Sequence, residues 1–239
     1  MAADGNGATG SGAAAAEPQV FMALPGRTEA REEAFEACLA EVVRSLGLDV
    51  GPGPGGDARR TWRNRARTAL RTACLRGTAL SEESFDALLR AAVHDPDPSF
   101  NRQFVEPALN AFGYARVRKA LLGYLRTGTD HERAGAARAW YWSALPLRMP
   151  HVRAADPGSV DRAGTDGARA VVAEWNEAAL REFVGNEQLE VRRCILPGLP
   201  LRKSAYPPEL HALVDTAVAL ARSHPDAYIR HRVEHQVGD

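Results

Sequence analysis

Apolar residues recur along this chain at the spacing of one helix face, and no stretch alternates as a strand would. From Thr28 to Leu46 the stripe is Ala34, Phe35, Cys38, Leu39, Val42, Val43 and Leu46. Thr28 is placed to cap the first turn, Glu29, Glu32 and Glu33 complement the N-terminal dipole, and Gly47 closes the helix. The glycines and prolines of 51–56 support neither helix nor strand and read as a linker, after which Asp57 is placed to cap a second helix to about Arg76. Ser81 opens a third helix with Phe85, Leu88, Leu89, Ala92 and Val93 on one side. After the turn from His94 to Ser99 its partner runs from Phe100 to Phe112, where Pro107 predicts a kink and Gly113 a left-handed cap. Further pairs are predicted at Ala115–Thr127 with Asp130–Ser143, capped by Asp130, at Ala168–Val184 with Glu187–Leu196, and at Glu209–Arg222 with Asp226–Gln236. The expectation is an all-α chain of about five helix pairs. A disordered tail is expected at 1–18, an N-terminal pair within 19–80, and repeats over 81–239 with an inserted loop at about 145–167.

Within these pairs one signature recurs: a polar turn, then arginine near the start of the second helix. It reads Asp97 to Arg102, Asp130 to Arg133, Asn186 to Arg192 and Asp226 to Arg230, with the arginines 31, 59 and 38 residues apart. With the loop counted as one insertion, this is the period of a helix-pair repeat, a unit that stacks because no single pair buries its own apolar face. These residues resemble HEAT repeats, whose pattern is a helix, a turn with Asp or Asn, then Val-Arg early in the second helix. Val191-Arg192 follows the pattern, Ile229-Arg230 nearly so, Glu132-Arg133 departs in the valine position, and Asp97 to Arg102 is loosest. The resemblance covers Ser81 to Gln236 and implies an α-solenoid of stacked antiparallel pairs. It further implies that turn acids and second-helix arginines pair between neighbouring repeats, which makes Arg102, Asp130, Arg133, Asn186, Arg192, Asp226 and Arg230 structural.

Composition narrows the class. Hydrophobic residues at 45% and charged residues at 25% exclude wholesale disorder. No apolar run approaches the roughly 20 residues of a membrane span, and the N-terminus has Asp4 and small residues where a secretion signal would be positive, so a cytoplasmic protein is expected. Of 30 basic residues only Lys119 and Lys203 are lysine, and alanine and glycine abound. That is the bias of a high-GC, actinobacterial-type genome, so arginine abundance by itself says little about nucleic acid. Net charge is zero, yet residues 1–57 carry nine acids against three arginines, and 59–76 carry seven arginines and no acid. On that second helix Arg60, Arg63, Arg67 and Arg71 gather opposite Trp62, Ala66, Ala69, Leu70 and Ala73. They fit an anion or nucleic-acid contact, and fit better ion pairs with the acidic first helix, since a DNA binder usually shows a basic footprint over a whole face.

Little catalytic chemistry can be assembled. Cys38, Cys74 and Cys194 lack CxxC spacing, lie in apolar stretches and read as buried free thiols. His231 to His235 has the H-x-x-E-H spacing of a zinc peptidase without a downstream third ligand, and reads as a solvated terminal helix. His131-Glu132 is similar to the His-Glu dyads of a HEAT-repeat hydroxylase, but one dyad is too few for a di-iron site. No metal and no cofactor is expected. Trp140 and Trp142 point roughly 200° apart on one helix, so at most one faces the core. Together with Tyr141, Arg148 and Trp175 they are either partner-binding anchors or aromatics covered by the loop. Trp140, Trp142, Arg148 and Asp156 are also similar to the inventory of HEAT-like alkylpurine DNA glycosylases. The reading is a non-enzymatic scaffold or regulatory adaptor, monomeric or weakly oligomeric, with no membrane role, holding a protein partner on its concave face. A nucleic-acid binder or glycosylase-type repair protein is the alternative.

Overall fold

The computed structural model describes residues 28–51, 58–145 and 166–237. Among them the chain is all-helical, with α1 (Glu29–Ser45), α2 (Arg59–Leu75), α3 (Glu82–His94), α4 (Arg102–Phe112), α5 (Tyr114–Thr127), α6 (Asp130–Ser143), α7 (Asp166–Gly185), α8 (Leu189–Ile195), α9 (His211–Arg222) and α10 (Ala227–Val237). Three short 3-10 turns, Leu196–Gly198, Lys203–Ala205 and Pro208–Leu210, carry the chain from α8 to α9, a connection for which the hydrophobic pattern predicts no element. The tail at 1–18, most of the 51–56 linker with Asp57, and most of the inserted loop fall outside the described residues. No helix among those described is long and apolar enough to cross a membrane.

Caps define several of the ends. Thr28 caps α1 as its sequence position suggests, its hydroxyl accepting from the Arg31 N–H at 3.3 Å. At α6 the cap is Thr129 rather than Asp130: the Thr129 hydroxyl accepts from the Glu132 N–H while the Glu132 carboxylate accepts from the Thr129 N–H at 2.8 Å. That reciprocal pair satisfies two otherwise orphaned donors, which an aspartate one residue later cannot do. Pro107 sits inside α4, which runs through it as one α-helix. Gly113 takes φ 81° and ψ 158°, so φ is positive as a glycine cap requires but the backbone is otherwise extended. One residue therefore ends α4 and starts α5.

The stripes meet in one apolar cluster that runs from Phe35 to Val233. Consecutive helices pack on each other as α1 on α2, α3 on α4, α5 on α6, α7 on α8 and α9 on α10. First helices also stack: α1 on α3, α5 on α7, and α7 on α9. The succession breaks between α3 and α5, where α3 packs far more extensively on α6. Helix α6 is thus the hub, touching α3, α4, α5 and α8. Its composition explains why: Ala134, Gly135, Ala136, Ala137 and Ala139 are buried and keep side chains short on several faces, so backbones can approach closely.

Gly135 marks the closest approach. A Cβ there would stand 1.9 Å from the Val93 carbonyl oxygen at the end of α3, against backbone that cannot rotate away. Gly135→Ala is expected to lower stability by about 3 kcal/mol or more, the upper range for overpacking. Gly123 in α5 has nothing within 4 Å of the same position, so Gly123→Ala should raise stability by roughly 0.5 to 1 kcal/mol through backbone entropy. Urea unfolding of the two variants checks the pair, and equal effects would contradict this packing.

Candidate functional site

The four aromatic residues divide in two. Trp140 and Trp175 are buried, 6% and 2% exposed, and lie as parallel rings with centroids 4.0 Å apart and planes 3° from each other. The stack fastens α6 to α7 and leaves neither ring open to a partner. Trp142 leaves the other side of α6, as its angular offset from Trp140 requires. Its indole N–H donates to the Pro98 carbonyl at 3.1 Å, and the Arg102 guanidinium lies 5.2 Å from its ring centre. Tyr141, 40% exposed, meets Trp142 edge-on at 5.6 Å. Phe100, two residues beyond Pro98, is 48% exposed. Tyr141 and half-buried Trp142 with Arg102 form an aromatic patch, while the Phe100 ring faces Arg67. Arg102 enters the patch from the start of α4, a juxtaposition no local pattern announces. Arg148 and Asp156 lie outside the described residues.

The arginines of α2 also separate. Arg63 turns onto α1, 3.2 Å from Glu32 and 3.5 Å from Glu36, beside Arg59, which reaches Glu33 at 3.3 Å. Arg67 is taken further inward: its guanidinium donates to Asp95 Oδ1 at 2.8 Å and lies 4.9 to 5.5 Å from the ring centres of Phe35, Phe100 and Phe104. Asp95 is fully buried, and burial raises its carboxyl above the usual range while the Arg67 hydrogen bond opposes that shift. Arg60 and Arg71 stay exposed. The basic stripe is therefore half committed to internal carboxylates, and its outward charge is smaller than its sequence suggests.

Of the repeat residues, some join neighbouring pairs and some do not. Arg133 reaches Glu182 of α7 at 3.0 Å, and the Asn186 amide donates to Asp130 and to Glu182, both at 2.7 Å, so the start of α6 is tied to the α7–α8 turn. Arg192 differs from expectation: it donates to the carbonyls of Phe183 and Val184, at 3.1 and 3.3 Å, closing the C-terminal end of its own pair's first helix. Arg230 likewise donates to the carbonyls of His224 and Pro225. Arg193 is the residue that reaches Asp226 in the next turn, at 3.1 Å. Adjacent helix positions differ by 100°, so the motif arginine and its neighbour face different repeats. Arg102 pairs with Glu106 one turn along its own helix, at 3.3 Å.

A second polar assembly, of which the sequence pattern singles out only His131-Glu132, fills the junction of α1, α3, α6 and α8. Glu190 holds Arg31 at 2.8 Å and Arg138 at 3.4 Å, with His131 Nδ1 at 4.0 Å. Arg138 is buried and also donates to the Asp95 carbonyl at 3.4 Å and to Cys194 Sγ at 3.5 Å. His94 stands over His131 with centroids 5.6 Å apart, and its Nε2 is 3.8 Å from Glu132. Burial, then the charges of Arg31 and Arg138, push the His131 imidazole down to about 4; burial lowers His94 as well. Both rings are therefore neutral at pH 7, each with one N–H and one acceptor nitrogen. Burial pushes Cys38 and Cys74 up to about 11 and raises Cys194, so the thiols are protonated and poor nucleophiles. Among the described residues no group of three or more His, Cys, Asp or Glu side chains is arranged to hold a metal ion.

No protein-family model, curated protein or solved structure matches the chain.

Two expectations follow from the buried charges. Arg67→Ala leaves the Asp95 carboxylate uncompensated and should cost about 3 to 5 kcal/mol, whereas exposed Arg60→Ala should change stability by less than about 0.5 kcal/mol; urea unfolding compares them directly. The second concerns acid. An imidazole held near 4 in the folded chain titrates at about 6.5 when unfolded. Across that window the unfolded state binds the proton and the folded state does not, so stability present above pH 6.5 is lost as pH falls toward 4. Between pH 7 and pH 5 the wild type should lose about 1 to 2 kcal/mol more than His131→Asn, and parallel losses would show that His131 is not the group concerned.

Proposed function

We propose that the chain is a non-enzymatic adaptor built as a HEAT-like α-solenoid, and that it holds a protein partner through the patch of Arg102, Tyr141 and Trp142. The stacking of first helices and the ties from α6 to the α7–α8 turn and from α8 to the α9–α10 turn support the repeat reading. The observation that carries the partner reading is the aromatic patch itself. Trp142 is oriented by its hydrogen bond to Pro98 and by the arginine over its face, and Tyr141 stands beside it in solvent. Rigid amphipathic rings of this kind lose little entropy on binding and dominate interface energetics. Catalysis has less to support it: burial holds the thiols protonated and so poorly nucleophilic. Nucleic acid, the alternative, has less to hold once Arg63 and Arg67 are engaged with Glu32, Glu36 and Asp95.

The test is site-specific photo-crosslinking in the native cell, with the reactive residue placed at position 141 and, for comparison, at Leu75, which is 52% exposed on α2. A discrete protein adduct is expected at 141 and not at 75. Tyr141→Ala should then weaken binding of that protein about thirtyfold, the effect of a truncated hot spot of about 2 kcal/mol. Adducts with nucleic acid, or identical products from both positions, would replace the adaptor reading.

A further inference from the structure

The solvent face of α10 carries two histidines, His231 and His235, one helical turn apart. Side chains at i and i+4 lie on one face, one above the other. The two rings stand with centroids 4.4 Å apart and planes at 68°, and their Nε2 atoms face each other at 3.1 Å. At this distance one ring nitrogen donates and the other accepts. With both ring protons on Nδ1, small ring rotations turn the two Nε2 lone pairs from each other toward one point outside the pair.

We propose that His231 and His235 form a two-nitrogen chelating site for a divalent transition metal ion of the zinc, nickel or copper class. With metal–nitrogen bonds of about 2.05 Å, nitrogens 3.1 Å apart subtend roughly 100° at the ion, between the octahedral and tetrahedral values, so no helix movement is needed. The helix is also fixed from behind: Ile229 and Val233 on its opposite face are fully buried, and the Gln236 amide donates to the Leu196 carbonyl at 2.9 Å. Imidazole nitrogens select borderline ions over magnesium and calcium, which take oxygen ligands. Glu234, the nearest carboxylate in sequence, is turned to Arg222 at 3.3 Å and adds no third donor. Among the described residues no third side-chain donor stands with the two nitrogens, so water fills further positions and the ion stays exchangeable and open to another donor. This is a chelate of two ligands, distinct from the four-ligand closed sites of structural zinc.

The experiment uses untagged full-length protein and zinc chloride followed by calorimetry, with magnesium chloride as the hard-ion control. Wild type should bind one zinc ion and no magnesium. His231→Ala and His235→Ala, each at an exposed position, should both weaken zinc binding at least about tenfold, because removing either nitrogen abolishes chelation. His211→Ala, whose ring instead lies 3.2 Å from the Tyr206 carbonyl, should bind as wild type does. Circular dichroism of each variant checks that the helices are retained. Nickel provides an independent readout, since its paramagnetism should broaden the ring proton signals of these two histidines ahead of the other five. Absence of zinc binding to wild type, or equal binding by all four proteins, would overturn the proposal.

Discussion

Asp95 is a fully buried acid at the end of α3, and much of the first half of the chain is arranged around meeting its needs. A carboxylate removed from water costs several kcal/mol unless it is paired and hydrogen-bonded. Arg67 supplies the charge from α2, and the Asp97 N–H adds a hydrogen bond at 2.9 Å that shapes the α3–α4 turn. The main chain of the same residue then receives Arg138 from α6, and Arg138 continues to Glu190, which holds Arg31. A connected polar path runs from α2 through α6 and α8 to the start of α1. Apolar burial drives these helices together without direction; the directional contacts along this path fix which residues meet.

The helices themselves were legible because amphipathic periodicity is a local property. The stripes of α1 and α3 read directly as buried Phe35, Leu39 and Val42, and as Phe85, Leu88, Leu89, Ala92 and Val93. Which helix covers which stripe is not local. Periodicity identifies an apolar face and says nothing of its neighbour, so the shift from α3-on-α5 to α3-on-α6 could not be read from spacing. A glycine at 113 and small residues along α6 are its only traces in the sequence, and they would suit a plain helix cap and a plain buried helix equally well. Motif matching failed in a different way at Arg192. The consensus named a residue type at a position, but facing is set by helical phase, and the adjacent Arg193 carries the contact between turns.

The candidate sites were partly legible for the same reason. That Trp140 and Trp142 must diverge follows from helix geometry, and the structure sends one into the stack with Trp175 and the other toward Pro98. Their partners come from 35 to 44 residues away, beyond any local signal. The junction of Arg31, His94, His131, Arg138 and Glu190 draws its five residues from four helices, two of them from α6. Each of those residues, taken alone, looks like an ordinary surface polar position.

The stack of Trp140 on Trp175 joins the two helices that flank residues 146–165. Because those helices are fastened directly, their spacing does not depend on the length of chain between them. Closing a longer connection adds only about 0.6 kcal/mol per doubling. Between α4 and α5, by contrast, the single residue Gly113 is the whole connection and sets how those two helices meet. A change in chain length between α6 and α7 is thus thermodynamically small, while Gly113 admits no such freedom.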